Sequence, residues 1–255
     1  MGEKKKAYLI DMDGVLVFGT RPIPGAVEFI ERLVAGGYKY LILTNNSAYT
    51  PLDLQHRLNT AGIKVGIDRL YSSALATAAF VQAQKPGGSA YVLGGTGLYQ
   101  ALTDVGYTLT DYNPDYVILG ESRFHSYDRL IRAAQLISAG VPFLATNSDL
   151  TGPAEEGIIP ACGAVAALLE KASGFRPYYI GKPNPLMMRL ALRYLGEHSE
   201  NAVMIGDNMH TDIRAGLESG LETVLVLTGV TRREEIEKFP YRPHRVVESL
   251  AEIAL

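Results

Sequence analysis

Short apolar runs recur along the chain, each followed by a stretch with helical spacing. The runs AYLI (7–10), KYLILT (39–44), AYVLG (90–94), DYVILG (115–120), PFLAT (142–146), PYYIG (177–181), NAVMIG (201–206) and ETVLVLTG (222–229) are rich in Val, Ile, Leu and Tyr. They are apolar at successive positions rather than at alternate ones, the mark of strands buried on both faces of a sheet. The segments between them carry helix-start signals. Thr50 before Pro51 and Asn184 before Pro185 fit an N-cap with proline at the first helical position, and Thr231 to Glu234 (TRRE) fits a capping box. Strand–helix alternation of this kind predicts an α/β fold with a mainly parallel sheet and right-handed crossovers.

Such sheets open their ligand site at the carboxyl ends of the strands, where the strand order reverses. The residues just past four of the runs are therefore the candidates for chemistry. They are Asp11-Met12-Asp13-Gly14, Thr44-Asn45-Asn46-Ser47, Gly181-Lys182-Pro183, and Gly206-Asp207-Asn208 with Asp212 in the next turn. The strands between residues 90 and 146 carry no comparable set. That contrast divides the chain into a core of residues 1–78 plus 178–255 and an inserted module of residues 79–177, with QAQKPGGS (82–89) and SGFRP (173–177) as the joints.

Composition narrows the classes. A length of 255 residues, with 47% hydrophobic and 20% charged residues, suits a globular chain of one large or two modest domains. A net charge of −3 gives no support for a nucleic-acid surface. A lone cysteine, Cys162, excludes an internal disulfide and fits a reducing compartment. The basic start through Lys4–Lys6 leads into an apolar run too short for a secretory signal, and no apolar run approaches the ~18 residues of a membrane span. The expectation is a cytoplasmic protein, monomeric or homodimeric, without a membrane or nucleic-acid partner.

Asp11 and Asp13 lie two residues apart, roughly 6–7 Å along an extended chain and on the same side. A divalent cation or a phosphoryl group fits between them, with Asp207 as a third oxygen ligand. An Asp-rich site with scattered histidines and a lone cysteine suits Mg2+ better than zinc. A phosphate ester repels a bare carboxylate, so the cation and Lys182 would offset that repulsion while Thr44 and backbone N–H groups hold the remaining oxygens. One carboxylate then attacks phosphorus, and the other exchanges a proton with the leaving oxygen and the incoming water.

The motifs DMDGV, LTNN, GKP and GDNMHTD resemble the four motifs of haloacid-dehalogenase-superfamily phosphatases, and the TNN form, the long insertion and LTGVTRREE are similar to the NagD-like branch of nucleotide, sugar-phosphate and 4-nitrophenyl phosphatases. Phrases such as YSSALATAAF, NPDYVILGES and PACGAVAALLEKASG extend the likeness over nearly the whole chain. The resemblance implies a Rossmann-like core with an inserted α/β cap. It implies Asp11 as nucleophile and metal ligand, and Asp13 as general acid/base and backbone-carbonyl ligand. Thr44, Asn45 and Lys182 become phosphate-binding, Asp207 a metal ligand, Asp212 a supporting acid behind the ligands, and Asn208 and Thr211 part of the loop near metal or phosphate. The presence of Asp13 favours phosphate esters over haloacids.

The function expected is a magnesium-dependent phosphomonoesterase of small metabolites such as nucleoside monophosphates or sugar phosphates. A phosphotransferase or phosphomutase would share every core residue, and a non-catalytic phosphometabolite-binding module would not need both Asp11 and Asp13. In the insertion, the polar loop ATNSDLTGPAEEG (145–157) is the expected specificity loop, with Asn147 and Asp149 as candidate substrate readers. Other features read more simply. VLGGTGLYQAL (92–102) lacks the third glycine of a dinucleotide fingerprint and reads as a tight βα turn. Cys162 lacks the arginine of a cysteine-phosphatase loop and reads as a packed residue. His125, His198 and His210 read as surface or polar-network residues.

Overall fold

A computed structural model of the chain describes residues 6–153 and 158–255, so Lys4, Lys5 and residues 154–157 of the expected specificity loop lie outside the described residues. The chain forms two compact units. The first comprises the described residues of Met1–Thr44, Pro51–Tyr71 and Lys182–Leu255; the second comprises Asn45–Thr50 and Ser72–Gly181.

The first unit is built on a six-stranded sheet. From one edge to the other its strands are Arg245–Val247, Glu222–Val226, Ala202–Gly206, Ala7–Asp11, Tyr40–Thr44 and Leu70–Ser72. The pairs that flank Ala7–Asp11 are parallel, with Leu9 opposite both Met204 and Leu41. Alternate residues Tyr8, Ile10, Tyr40, Ile42, Val203, Ile205, Val224 and Val226 share one core with Phe29, Ile30 and Leu33 of the helix Ala26–Ala35 and with Leu54 and Leu58 of the helix Pro51–Thr60. The intervening residues Leu9, Leu41, Met204 and Leu225 are equally buried. Helices Pro185–Leu195 and Arg214–Glu218 pack against this sheet as well. Burial on both faces is what the unbroken apolar runs required, at roughly 1.5–3 kcal/mol for each large side chain removed from water.

Local signals account for the helix ends. Asn184 Oδ1 accepts from the Leu186 N–H at 2.9 Å, ahead of Pro185, and Gly196 closes the helix in the left-handed region. The TRRE capping box is displaced by one residue: the Glu235 carboxylate accepts from the Arg232 N–H at 3.1 Å, at the head of the turn Arg233–Lys238. Thr231 is instead buried, its hydroxyl accepting from the Met209 N–H at 3.0 Å, so it is committed to another loop before it could cap this one.

The second unit has its own parallel sheet of five strands, in the order Tyr178–Tyr179, Phe143–Ala145, Tyr116–Leu119, Ser89–Leu93 and Thr108–Leu109. Strands Thr151–Pro153 and Ile158–Pro160 pair antiparallel. The βα turn expected at residues 92–102 is present, with the strand ending at Leu93 and the helix Thr96–Asp104 following. Its glycines serve the chain's own backbone. The Gly97 N–H donates to the Ala48 carbonyl at 2.9 Å, and a Cβ on Gly97 would stand 2.1 Å from the Tyr49 carbonyl oxygen. Cys162 is buried, and that burial pushes its thiol up to about 12, so it is packed rather than nucleophilic. Among the described residues no helix is long and apolar enough to cross a membrane.

Gly97→Ala must force the segment 47–49 away from the helix Thr96–Asp104. A loss of about 1–3 kcal/mol of stability is expected, read as a lower denaturation midpoint. An unchanged midpoint would contradict this close approach.

Candidate active site

Three adjacent strands deliver the site. Ala7–Asp11 lies between Tyr40–Thr44 and Ala202–Gly206, with Asp11 in register with Leu43 and Ile10 with Ile205. Asp11, Thr44 and Asp207 therefore stand at neighbouring carboxyl ends. After Ala7–Asp11 the chain builds the sheet towards Leu70–Ser72, then returns to the other side at Ala202–Gly206. That reversal is where parallel sheets hold ligands.

Lys182 is the hub. Its Nζ donates to Asp11 Oδ1 at 2.6 Å and to Asp212 Oδ1 at 2.7 Å, and its side chain is only 2% exposed. Carboxylate oxygens of Asp11, Asp207 and Asp212 all lie within 4.8 Å of one another. Asp212 is placed by a π-helical turn, Met209–Ile213, and its second oxygen accepts from the Asn208 N–H at 3.1 Å. Asp207 is gripped by the loop after the strand Glu222–Val226: Oδ2 accepts from the Val230 N–H at 2.7 Å, and its carbonyl accepts from the Thr231 N–H at 3.0 Å. A Cβ on Gly229 would fall 1.8 Å from Asp207 Oδ2, so only glycine allows that grip. Thr228 ties the same loop to the first strand's turn, donating to the Gly14 carbonyl at 2.6 Å.

Three carboxylates thus face one ammonium. Burial, and then the neighbouring Asp212, push Asp11 well above the usual carboxylate range against the pull of Lys182. The same two causes push Asp207 up to about 7, opposed by its bond from Val230 and by Lys182. Burial disfavours the Lys182 charge too, but Asp11 and Asp212 outweigh it and hold the amine protonated. The surplus of negative charge and the all-oxygen donor set fit a hard divalent cation.

The remaining candidates fall in different places. Asp13 does not join the carboxylate cluster: its Oδ1 takes Arg57 Nη2 at 2.5 Å. The Asp11 carboxylate is grouped with those of Asp207 and Asp212, and the Asp13 carboxylate stands outside that group. The reason is that the strand stops at Asp11 and the chain turns, with the Leu16 and Val17 N–H groups both bonded to the Met12 carbonyl. Thr44 is buried at its strand end. Asn208 caps the π-turn, its Oδ1 accepting from the His210 N–H at 2.9 Å, and Thr211 is half-buried within that turn.

Asn45 belongs to the second unit, where its Nδ2 donates to Asp149 Oδ2 at 3.1 Å. Asn147 is wholly buried and donates to the Asn45 carbonyl at 2.8 Å and to Glu121 at 3.2 Å; its own Oδ1 accepts from the Asp149 N–H at 3.0 Å. Both nominated readers are therefore engaged by the protein itself. Arg57 and Gly229 were not anticipated. Gly229 did carry a signal, as the glycine that ends the run ETVLVLTG, while Arg57 carried none.

Two family models match the chain, one described as haloacid dehalogenase-like hydrolase over residues 8–108 and one as HAD-hydrolase-like over residues 179–253. The chain belongs to the haloacid dehalogenase-like hydrolases, in their NagD-like branch. It is 50% identical to a dihydroxyacetone phosphatase of Corynebacterium glutamicum over 97% of this chain and 90% of that protein. It is 44% identical to the ribonucleotide monophosphatase NagD of Escherichia coli, over 97% of this chain and 98% of that one. The solved structure of NagD from Escherichia coli superposes with a TM-score of 0.94 at 43% identity, covering 99% of both chains. A 4-nitrophenylphosphatase from Thermotoga maritima superposes with a TM-score of 0.93 at 31% identity, covering 98% of this chain and 96% of that one.

Two predictions follow from the cluster. Gly229→Ala displaces Asp207, so divalent-cation affinity should fall by at least tenfold in a binding titration; unchanged affinity would contradict the grip. In the cation-free protein, Asp207 keeps in the folded state, up to about pH 7, a proton that an unfolded aspartate gives up near pH 4. The folded state binds more protons across that window, so stability should fall as pH rises from about 4 to 7. Added Mg2+ should therefore raise the melting temperature more at pH 8 than at pH 5. An equal or opposite difference would contradict the charge surplus.

Proposed function

We propose that this chain, a hydrolase of phosphoric monoesters, acts on small phosphorylated metabolites through an aspartyl-phosphate on Asp11. The observation that carries the reading is the contact of Lys182 Nζ with Asp11 Oδ1 at 2.6 Å and Asp212 Oδ1 at 2.7 Å. It supports Asp11 as the nucleophile, at the carboxyl end of its strand beside the positive charge of Lys182.

In this reading Asp11 attacks phosphorus as the ester P–O bond breaks, and the electron pair leaves with the ester oxygen, which takes a proton from Asp13. Asp13 then removes a proton from water as the water oxygen bonds to phosphorus and Asp11 departs. Thr44 and Lys182 hold phosphoryl oxygens. Asp11 and Asp207, with the Asp13 carbonyl, would hold Mg2+, and Asp212 orients Lys182 and the turn at Asn208 and Thr211. The cation, when bound, neutralises phosphate charge and screens the repulsion between phosphate and carboxylate.

Residues 79–177 act as the substrate-selecting cap. The relatives' names support three-carbon phosphates, sugar phosphates and nucleoside monophosphates as the class to test. A cytoplasmic setting without nucleic-acid or membrane partners belongs to the same reading, supported by the net charge of −3 and the buried, unpaired Cys162.

Asp11→Asn should lower phosphate release from 4-nitrophenyl phosphate by at least about a thousandfold, with the melting temperature retained. EDTA should silence the wild type and added Mg2+ restore it. Comparable rates in the variant, or full activity in excess EDTA, would refute the reading.

A further inference from the structure

The guanidinium of Arg57 is the one cation other than Lys182 that touches a proposed catalytic carboxylate among the described residues, and nothing in the mechanism above uses it. Arg57 lies in the last turn of the helix Pro51–Thr60, between Leu54 and Leu58, whose burial in the sheet core fixes the helix. Its side chain is 21% exposed, partly enclosed although it lies near a helix end. It makes two contacts in different directions. Nη2 meets Asp13 Oδ1 at 2.5 Å, and Nε donates to the Gly19 carbonyl at 2.7 Å. Gly19 is the tip of a hairpin whose strands Val17–Phe18 and Arg21–Pro22 pair antiparallel. Asp13 itself bridges to Val17 at the base of that hairpin. One planar guanidinium therefore spans the carboxylate and the loop that follows it.

We propose that Arg57 is a positioning residue for the proton-transfer step, holding Asp13 by Oδ1 so that Oδ2 carries the proton to and from the reacting oxygens. The inference rests on the phosphatase reading above. With Oδ1 committed to Nη2, the proton sits on Oδ2 and passes to the ester oxygen as the P–O bond breaks. In the second half Oδ2 takes a proton from water as the water oxygen attacks phosphorus and the bond to Asp11 breaks. Nothing is oxidised or reduced, and Arg57 takes no part in the proton transfer itself. Without the guanidinium the Asp13 side chain, 41% exposed, has rotational freedom to leave that position. A planar fork suits this role better than an ammonium, because two donors in fixed geometry satisfy Asp13 and Gly19 at once.

The step is separable from the rest of the site by leaving group. An alkoxide needs its proton as the ester bond breaks, while 4-nitrophenolate departs as a stable anion. The ratio of kcat/KM for a primary alkyl phosphate to that for 4-nitrophenyl phosphate reports this difference, since kcat/KM covers the steps up to loss of the leaving group. In the full-length protein with Mg2+, Arg57→Ala should lower that ratio by at least about tenfold. Arg57→Lys should recover part of the loss, keeping the charge while losing the fork. If Arg57→Ala does not fold, Arg57→Gln is judged by the same ratio.

A ratio unchanged within about twofold, whether or not both substrates slow together, would overturn the inference and leave Arg57 a fold-stabilising residue. Asp11→Asn, measured alongside, keeps the two claims apart. If that variant turns over 4-nitrophenyl phosphate at a rate comparable to the wild type, the aspartyl-phosphate reading itself fails. If it is inactive and the Arg57 ratio is unmoved, only the positioning role fails.

Discussion

A single buried ammonium facing three buried carboxylates is the constraint on which the rest of this structure depends. Taking one carboxylate out of water is costly unless it is paired or hydrogen-bonded, and taking three out beside one lysine leaves a deficit that the protein's own groups do not cover. Lys182 balances part of it by bridging Asp11 and Asp212. Backbone N–H groups at Asn208 and Val230 balance another part. What remains is negative charge at the carboxyl ends of parallel strands, open to a divalent cation and poised against a phosphate. A site that is unfavourable when empty and relieved by its ligands is a common form of catalytic pre-organisation.

The scaffold follows from that need. Parallel strands apolar on both faces form a rigid floor, and their register sets Asp11, Thr44 and Asp207 on adjacent ends without help from side-chain contacts. The fine placement comes from loops that approach closer than any side chain would allow. The 228–231 segment closes over Asp207 because Gly229 has no Cβ, and the π-turn at Met209–Ile213 points Asp212 back towards Lys182. In the second unit Gly97 plays a comparable part, letting the segment 47–49 lie against a helix start. A motif that resembles a nucleotide loop thus serves the chain's own backbone.

Much of this was legible in the residues. The eight apolar runs all contain strands, because burial on both faces leaves an unbroken apolar signature, although 177–181 shortens to Tyr178–Tyr179 and 222–229 to Glu222–Val226. The acids and the lysine of the cluster stood out because charged residues directly after buried strands are conspicuous. The short strands Leu70–Ser72 and Arg245–Val247 and the antiparallel pairs Val17–Phe18 with Arg21–Pro22 and Thr151–Pro153 with Ile158–Pro160 did not, since two or three residues are too few to show a period. Arg57 was hidden for a different reason: an arginine on an amphipathic helix looks like solvent-facing polarity, and only the packing of Leu54 and Leu58 turns it towards Asp13. The capping box slipped by one residue because Thr231 was already claimed by Met209, a tertiary demand that no local pattern records.

The measurement that bears most directly on the charge deficit is a calorimetric titration of chelator-stripped protein with Mg2+. The account predicts one cation bound per chain, and loss of that binding in Asp207→Asn while the variant stays folded. Wild-type protein that takes up no Mg2+, or a variant that binds it as tightly as the wild type, would contradict the claim that these carboxylates gather around a metal.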